Sequence, residues 1–400
     1  MKSYHHYNFN FHKYMHKDLT KLEISVWLHS TGRSLIAVFI PIIMLTAGFS
    51  LTQVLFIWCL FCLIDAPLNL LARKMVLKIG AKNTIIIGIV SELAYFIILY
   101  FAGLDWTTSI ALAVTAAIYD SFYWTAHWFV FNECVECKSG VGRQIGFLEI
   151  FRQAGSLLAP LIGALFLIFA SKDYLIILSV ILLILSLIPL ANIRFDYLSP
   201  KNSESIKGFF SNKDNKRNFL LIAFYAVHAE TLETILPISI YYAFHSLGYV
   251  GLFPMIVSLA SIIFLYFSGM MVDNASKHKI MMISALAICV MWIIISLTES
   301  LPIIYIVAVF MGLFGYMMAT ALDANTILIA KRTDMLDAST FRNSVHMGSR
   351  GILYLALIFV LEVFKVSFII AACAMFAIVI ITSIFYRRAL MTEKKGCVQL

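Results

Sequence analysis

Residues Leu175–Leu190 read LIILSVILLILSLIPL. This stretch carries no charge, and its polar residues do not alternate with its apolar ones. A barrel strand would alternate over about ten residues. A helix rises about 1.5 Å per residue, so about twenty residues of this kind cross a bilayer core. Leu175–Leu190 therefore reads as the heart of a membrane-spanning helix.

The same pattern recurs along the chain. Spans are expected at roughly 22–47, 51–72, 83–103, 107–131, 146–170 and 174–193, then at 219–243, 248–272, 279–298, 302–330, 344–362 and 366–386. Hydrophobic residues make up 61% of the 400 residues and charged ones 13%, with a mean hydropathy of +0.90. A soluble chain of this length needs a charged shell that this composition cannot supply. The expected fold is an all-α polytopic membrane protein of twelve transmembrane helices in two six-helix bundles. Residues 1–21 form an expected tail, 22–193 one bundle, 194–218 a polar linker, 219–387 the second bundle and 388–400 a second tail. A short interfacial helix is expected around Ile206–Phe210. No short apolar segment with a small-residue cleavage site precedes the first span, so that span is expected to be retained.

Basic residues cluster in alternate loops. Lys13, Lys17, Lys21, Arg73, Lys74, Lys78, Lys82, Lys138, Arg143, Lys277, Lys279, Lys331 and Arg332 fall on one side; Asp105, Lys172–Asp173, His245 and Glu299 fall on the other. The positive-inside rule places both termini and the linker in the cytoplasm, in the inner membrane if the source is bacterial. The net charge of +8 follows from this topology and calls for no nucleic-acid partner.

The two halves align at an offset of about 196 residues, as internal repeats of carriers do. The offset brings the loop RKMVLKIGAKN (Arg73–Asn83) onto GMMVDNASKHK (Gly269–Lys279). The second loop resembles the major facilitator superfamily, whose motif is a glycine, three residues, an aspartate and a basic turn: Gly269, Asp273, Lys277, His278, Lys279. The first loop keeps Lys78, Gly80 and Lys82 but has Arg73 and Leu77 where glycine and aspartate are expected. GFLEIFRQAGSLLAPLIGA (Gly146–Ala164) is similar to the glycine–proline pattern of antiporter members through Gly146, Gly155, Pro160 and Gly163, with Ala159 and Ala164 replacing two glycines. Small residues allow close helix contact and Pro removes a helical hydrogen bond, so Gly155, Pro160 and Gly163 are candidate bending positions. An ordinary packed helix is the other reading. The resemblance implies a secondary transporter whose spans one, four, seven and ten line a central cavity. It also implies monomeric operation.

Ionised groups at bilayer depth cost several kcal/mol unless they meet protein, water or a partner. Arg33 lies about 16 Å into span one, with His29 a turn earlier. It either faces a cavity and an anionic substrate or pairs with a carboxylate. Glu230 and Glu233 sit a turn apart in span seven, with Glu230 near the repeat position of Arg33. They suit proton exchange or a cationic substrate; an internal Arg–Glu network is the alternative. Span four contains AIYDSFYWTAHWFVF, in which Asp120, Trp124 and His127 share a face that either lines an aromatic path with a protonatable pair or packs against a neighbour. Asp323, after GLFGYMMATALD in span ten, is a candidate partner of Arg350 in span eleven. Gating candidates are Gly269, Asp273, Asp323, Arg350 and the Glu149–Arg152 pair, which also reads as a local ion pair. Asp65 and Glu92 look peripheral and receive no role.

Other signals are discounted. His5, His6, His12 and His16 lack acidic or cysteine company, so no metal is assigned. Cys59–Cys62 and Cys134–Cys137 lie at depths unsuited to joint zinc ligation. No GxxxxGK[ST] loop is present, and no cofactor or catalytic set is expected. The expected function is secondary transport of a small solute by alternating access, coupled to protons and directed toward antiport or export. Proton-coupled import of a small, anionic nutrient and a non-transporting receptor or scaffold on the same fold are the competing readings. The expected partners are that solute, protons and the lipid bilayer.

Overall fold

Backbone N–H and C=O groups find no water in hydrocarbon, so a spanning chain satisfies them internally as helix. The computed structural model describes residues 17–101, 105–134, 141–193, 213–274, 276–331 and 334–396. The amino-terminal histidines, most of the linker with its expected Ile206–Phe210 helix, Cys137 and the last four residues lie outside the described residues. Within them the chain is helical throughout and folds as twelve spans.

Span one comprises Lys17–Ser34 and, after a 3-10 turn at Ala37–Phe39, Ile40–Thr46. Spans two to four are Leu51–Ile79, Ala81–Phe101 and Trp106–Cys134. Span five is Val141–Leu157 followed by Ala159–Phe169, and span six is Lys172–Ala191. Span seven runs Lys213–Glu230, passes through a π turn at Thr231–Ile235, and ends with Leu236–Phe244. Spans eight to twelve are Leu247–Asn274, Lys277–Leu297, Leu301–Ala330, Met335–Leu357 and Val363–Gly396. Ten of these twelve are long and apolar enough to cross a membrane. Spans four and eleven are the two outside that set, and many of their residues are buried by their neighbours.

The local code is readable at the turns. Gly48 at φ 100° reverses the chain after span one. Ser50 and Gln53 then exchange hydrogen bonds in a capping box that starts span two. Asp105 accepts from the Thr108 amide at 2.7 Å, which starts span four and holds its carboxyl below the ordinary value. Asp334 caps span eleven through the Asp337 amide at 2.8 Å. Lys21 and Lys82 donate to Asn192, Ala191 and Ile193 carbonyls, capping the end of span six.

Prolines explain the internal breaks. Pro41 and Pro237 each sit at the start of a resumed helix. Each denies a hydrogen bond to the carbonyl four residues back, at Ala37 and Glu233. The chain answers with a 3-10 turn in span one and a π turn in span seven. The repeat offset of about 196 residues superposes the two prolines, so both halves break their first helix at one level.

Span eleven differs most from expectation. It begins at Met335 rather than near residue 344. Its first turns, MLDASTFRN, are polar enough to read as loop, yet almost all of them are buried against spans two, four and seven.

The first half packs through spans one with five and six, and three with four. The second packs through nine with twelve, eight with ten, and seven with eleven. The halves meet along spans two with eleven and five with eight. Odd-numbered spans start from the end carrying Lys21, Lys78, Lys82, Arg143, Lys277 and Lys279, termed here the basic end.

Candidate functional site

A cavity of about 490 Å³ lies between the halves, lined by spans one to five, seven, eight, ten and eleven. It begins about one to two turns inside the basic end, at the level of Trp128, Ile145 and Arg342, and runs past the middle to Met44, Leu112 and Met311. Its wall carries four arginines (Arg33, Arg152, Arg342, Arg350) and six acids (Glu92, Asp120, Glu149, Glu230, Glu233, Asp323). Another hollow of comparable size, between spans nine and ten, is lined only by apolar side chains such as Val290, Ile294 and Phe310. It offers no polar group to orient a solute.

Each cavity arginine is engaged. In the first half, Arg33 ends the first segment of span one, where the helix dipole favours a cation. Its Nη1 donates to Glu92 Oε1 at 2.8 Å, and its guanidinium lies 4.5 Å over the Tyr119 ring. The other Glu92 oxygen meets His29 Nε2 at 2.7 Å, and His29 stacks on Tyr123 with centroids 4.3 Å apart. Glu92 is thus a shared anchor whose side chain is 2% exposed, while Arg33 stays 36% exposed.

In the second half, Arg350 reaches Glu230 Oε2 at 2.9 Å and Glu233 Oε2 at 3.1 Å. Tyr354 also donates to Glu230. Glu230 is buried, but Glu233, carried on the π turn, is 63% exposed and lines the cavity. A π turn inserts an extra residue into the ring and re-aims what it carries. Nearer the basic end, Arg342 binds Asp323 through Nη2 at 2.7 Å and lies 3.9 Å over the Trp128 ring of the other half. Arg152 pairs with Glu149 at 2.7 Å, and neighbouring Gln153 donates to Tyr316 of span ten.

Among the described residues, two cross-half contacts that join an arginine to an aspartate brace the basic end. Asp273 accepts from the Gly142 amide at 2.7 Å and from Arg143 Nε at 3.1 Å. Arg73 donates to Asp337 on the opposite flank. A Cβ built on Gly142 would lie 2.7 Å from the Gly269 carbonyl, and one on Gly269 as close to that of Gly142, so only glycines allow this crossing.

Twelve helices, two proline-broken repeats and one charged cavity between them describe a carrier body, and the sequence agrees. The profile of the Major Facilitator Superfamily matches residues 22–229. The chain belongs to the major facilitator superfamily. The comparison with curated proteins found no match. Among solved structures, the human organic anion transporter MFSD10 (TETRAN) is similar, with a TM-score of 0.69 at 10% identity over 91% of this chain and 98% of that one. A bacterial homologue of the iron transporter ferroportin, crystallised in an outward-facing state, gives 0.68 at 14% identity over 93% and 100%. Family and fold together make this chain a multi-pass membrane transporter.

Within this superfamily fold, the structure places the sequence candidates unevenly. Arg33, Asp120, Trp124, Glu149, Arg152, Pro160, Glu230, Glu233, Asp323 and Arg350 line the cavity. Gly269 and Asp273 sit at the braced basic end. Span five breaks at Leu158, with Pro160 opening the next segment. Its Gly155 faces the Trp27 carbonyl, and a Cβ on Gly163 would run into the Leu35 carbonyl.

Two expectations are corrected. Asp323 does not pair with Arg350. The partner is Arg342, eight residues and about 12 Å nearer the basic end, level with Asp323 on antiparallel span ten. Arg350 instead stands level with Glu230. Asp120 and His127 do not form a protonatable pair. His127 stacks on Tyr123 at 5.6 Å and is absent from the cavity wall, with neither ring nitrogen hydrogen-bonded. Arg33 and the span-seven acids line one cavity, and each pairs within its own half.

Sequence reasoning missed Glu92, Arg342 and Tyr354. Arg342 lay in the stretch read as loop. Glu92 carried a usable signal: an acid at mid-span must meet a cation, and Arg33 was an unmatched cation at similar depth.

Proposed function

We propose that the chain is a proton-coupled secondary carrier working by alternating access, with antiport or export as its direction. The observation that carries this is the cavity wall, where titratable groups from both halves face one space at mid-depth. Rocking of the halves would expose that space to either side in turn. Glu233 and Asp120 are the groups best placed to exchange protons with cavity water, since both line the space. Glu230 and Arg350 carry the charge state of Glu233 into the wall through their shared ion pair. The Arg73–Asp337 and Gly142/Arg143–Asp273 contacts act as the gate at the basic end.

The cavity favours an organic cation or zwitterion over an anion. Its six acids outnumber its four arginines, and every arginine is already held by a carboxylate. Trp58, Trp124, Trp128 and Tyr95 add aromatic faces, which attract cations. The positive-inside pattern favours a cytoplasmic placement of the basic end and both termini, with the protein acting as a monomer, in the inner membrane if the source is bacterial.

A thermal-stabilisation screen of organic cations, zwitterions and anions, followed by flux in proteoliposomes with an imposed pH gradient, tests this. Efflux driven by inward proton flow, reduced in Glu233→Gln and Asp120→Asn, is expected. Accumulation driven by external acidity would establish import instead. Specific binding without flux in correctly folded protein would establish a receptor.

A further inference from the structure

Asp65 lies on span two and is fully buried. Its Oδ1 accepts from Asn69 Nδ2 at 2.7 Å, but its Oδ2 meets no donor. Asn69, one turn on from Asp65, is joined to Thr125 of span four, and this sets Asp120, five residues before Thr125 on a helix of the same heading, level with Asp65 and beside it. Two ionised carboxylates are acceptors only, so a hydrogen bond between them requires a proton on one.

No described cation relieves this pair by direct contact. The nearest are Arg33 on span one and Arg350 on span eleven, and each is held by its own glutamates. The other titratable groups facing the pair are Glu92 on span three, Tyr119 beside Asp120, and the Cys62 thiol one turn before Asp65. None is a cation. Two like charges here, one of them fully buried, repel strongly, whereas one shared proton turns repulsion into a strong O–H···O bond.

We propose that Asp65 and Asp120 share a single proton and form the carrier's proton-binding site. Its role in transport rests on the proton-coupled reading above. Asp120 lines the cavity and Asp65 does not, so the proton leaves from Asp120 to cavity water as hydronium, and the pair becomes a dianion. The same pair is wired to the other half. Asn69, which grips Asp65, accepts from Thr125 of span four at 2.7 Å and from Asn343 of span eleven at 2.8 Å. Repulsion in the dianion therefore strains the span two–span eleven seam that must part when the basic end opens.

The test is infrared titration of the purified full-length protein, following the C=O band of protonated carboxyl groups, in wild type, Asp65→Asn and Asp120→Asn. Asparagine keeps the shape and supplies an amide donor, so the surviving carboxyl no longer needs the proton. The expected result is a one-proton band in wild type at neutral pH that, in each variant that folds, is lost or titrates at least about one pH unit lower, a tenfold loss of proton affinity. Asp120→Asn, at the cavity wall, serves if the fully buried Asp65→Asn does not fold. An unchanged band in both variants overturns the proposal. So does a sodium-dependent rise in unfolding temperature without any such band, which would mark a cation site. Flux measurements separate the two readings. A band lost in the variants while flux ignores the pH gradient leaves the shared proton standing and removes coupling. Proton-driven flux with an unaffected band does the reverse.

Discussion

The two halves solve one problem in opposite ways. Each puts an arginine at the cavity wall near a proline break, and each supplies carboxylates to hold it. In the first half the carboxylate is Glu92, sealed in the wall at 2% exposure while Arg33 looks inward. In the second half Arg350 is the recessed member at 15% exposure, and Glu233 looks inward at 63%. One half thus presents a cation and the other an anion to the same space. The type of helix break differs to match: the π turn carries Glu233 outward, whereas the 3-10 turn leaves Arg33 at a helix end.

The comparison breaks most sharply at the sealed partner. Glu92→Ala strips Arg33 of its counter-charge and His29 of its hydrogen-bond partner in a buried site and should cost about 3–5 kcal/mol, read as a large fall in unfolding temperature in detergent. Glu233→Gln, its counterpart, removes an acid that faces the cavity. It should change stability by less than about 1 kcal/mol while depressing flux. Equal stability losses in the two variants would erase the distinction.

The two basic-end contacts sharpen the comparison further, because their polarity is reversed. The family's acid is present on the second-half loop as Asp273 and missing on the first, where Leu77 stands. There Arg73 reaches an acid on span eleven instead. Breaking the buried Arg73–Asp337 pair with Arg73→Ala should cost about 3 kcal/mol and raise labelling of cysteines placed near the basic end. The exchanged pair Arg73→Asp with Asp337→Arg should recover much of the loss, whereas either single change should not.

A smaller effect is expected of the glycines. Gly163→Ala drives a methyl into the Leu35 carbonyl beside the span-one break and should cost about 1–3 kcal/mol. Its measurable sign is a lower unfolding temperature. Smallest is the contrast between two buried histidines. His228 accepts from Trp292 Nε1 at 2.9 Å, so His228→Phe should lose about 1 kcal/mol. His127 has no hydrogen bond and sits in a ring stack, so His127→Phe should be neutral or slightly stabilising.

How much of this the sequence disclosed follows from what each feature depends on. Span number and repeat structure depend on local composition and were legible: the apolar runs and the loop GMMVDNASKHK lie in plain sequence. Burial depth of lone charges was legible too, which brought Arg33, Asp120, Glu230 and Glu233 forward. Pairing was not, since it depends on which helices adjoin. Span three looked peripheral, yet it turns Glu92 inward to Arg33. The polar start of span eleven was taken for loop because hydropathy registers contact with lipid. A helix enclosed by spans two, four and seven needs no apolar surface there, so Arg342 and Asp337 went unplaced.

The central claim is that the walls of both halves enclose one working space. The direct measurement is thiol labelling of Ala37→Cys in the first half and Ala319→Cys in the second, both at the cavity wall, in a background with the native cysteines replaced by serine. A solute found by thermal stabilisation should protect both positions with the same half-saturating concentration. Protection of one position alone, or at clearly different concentrations, would contradict a shared cavity.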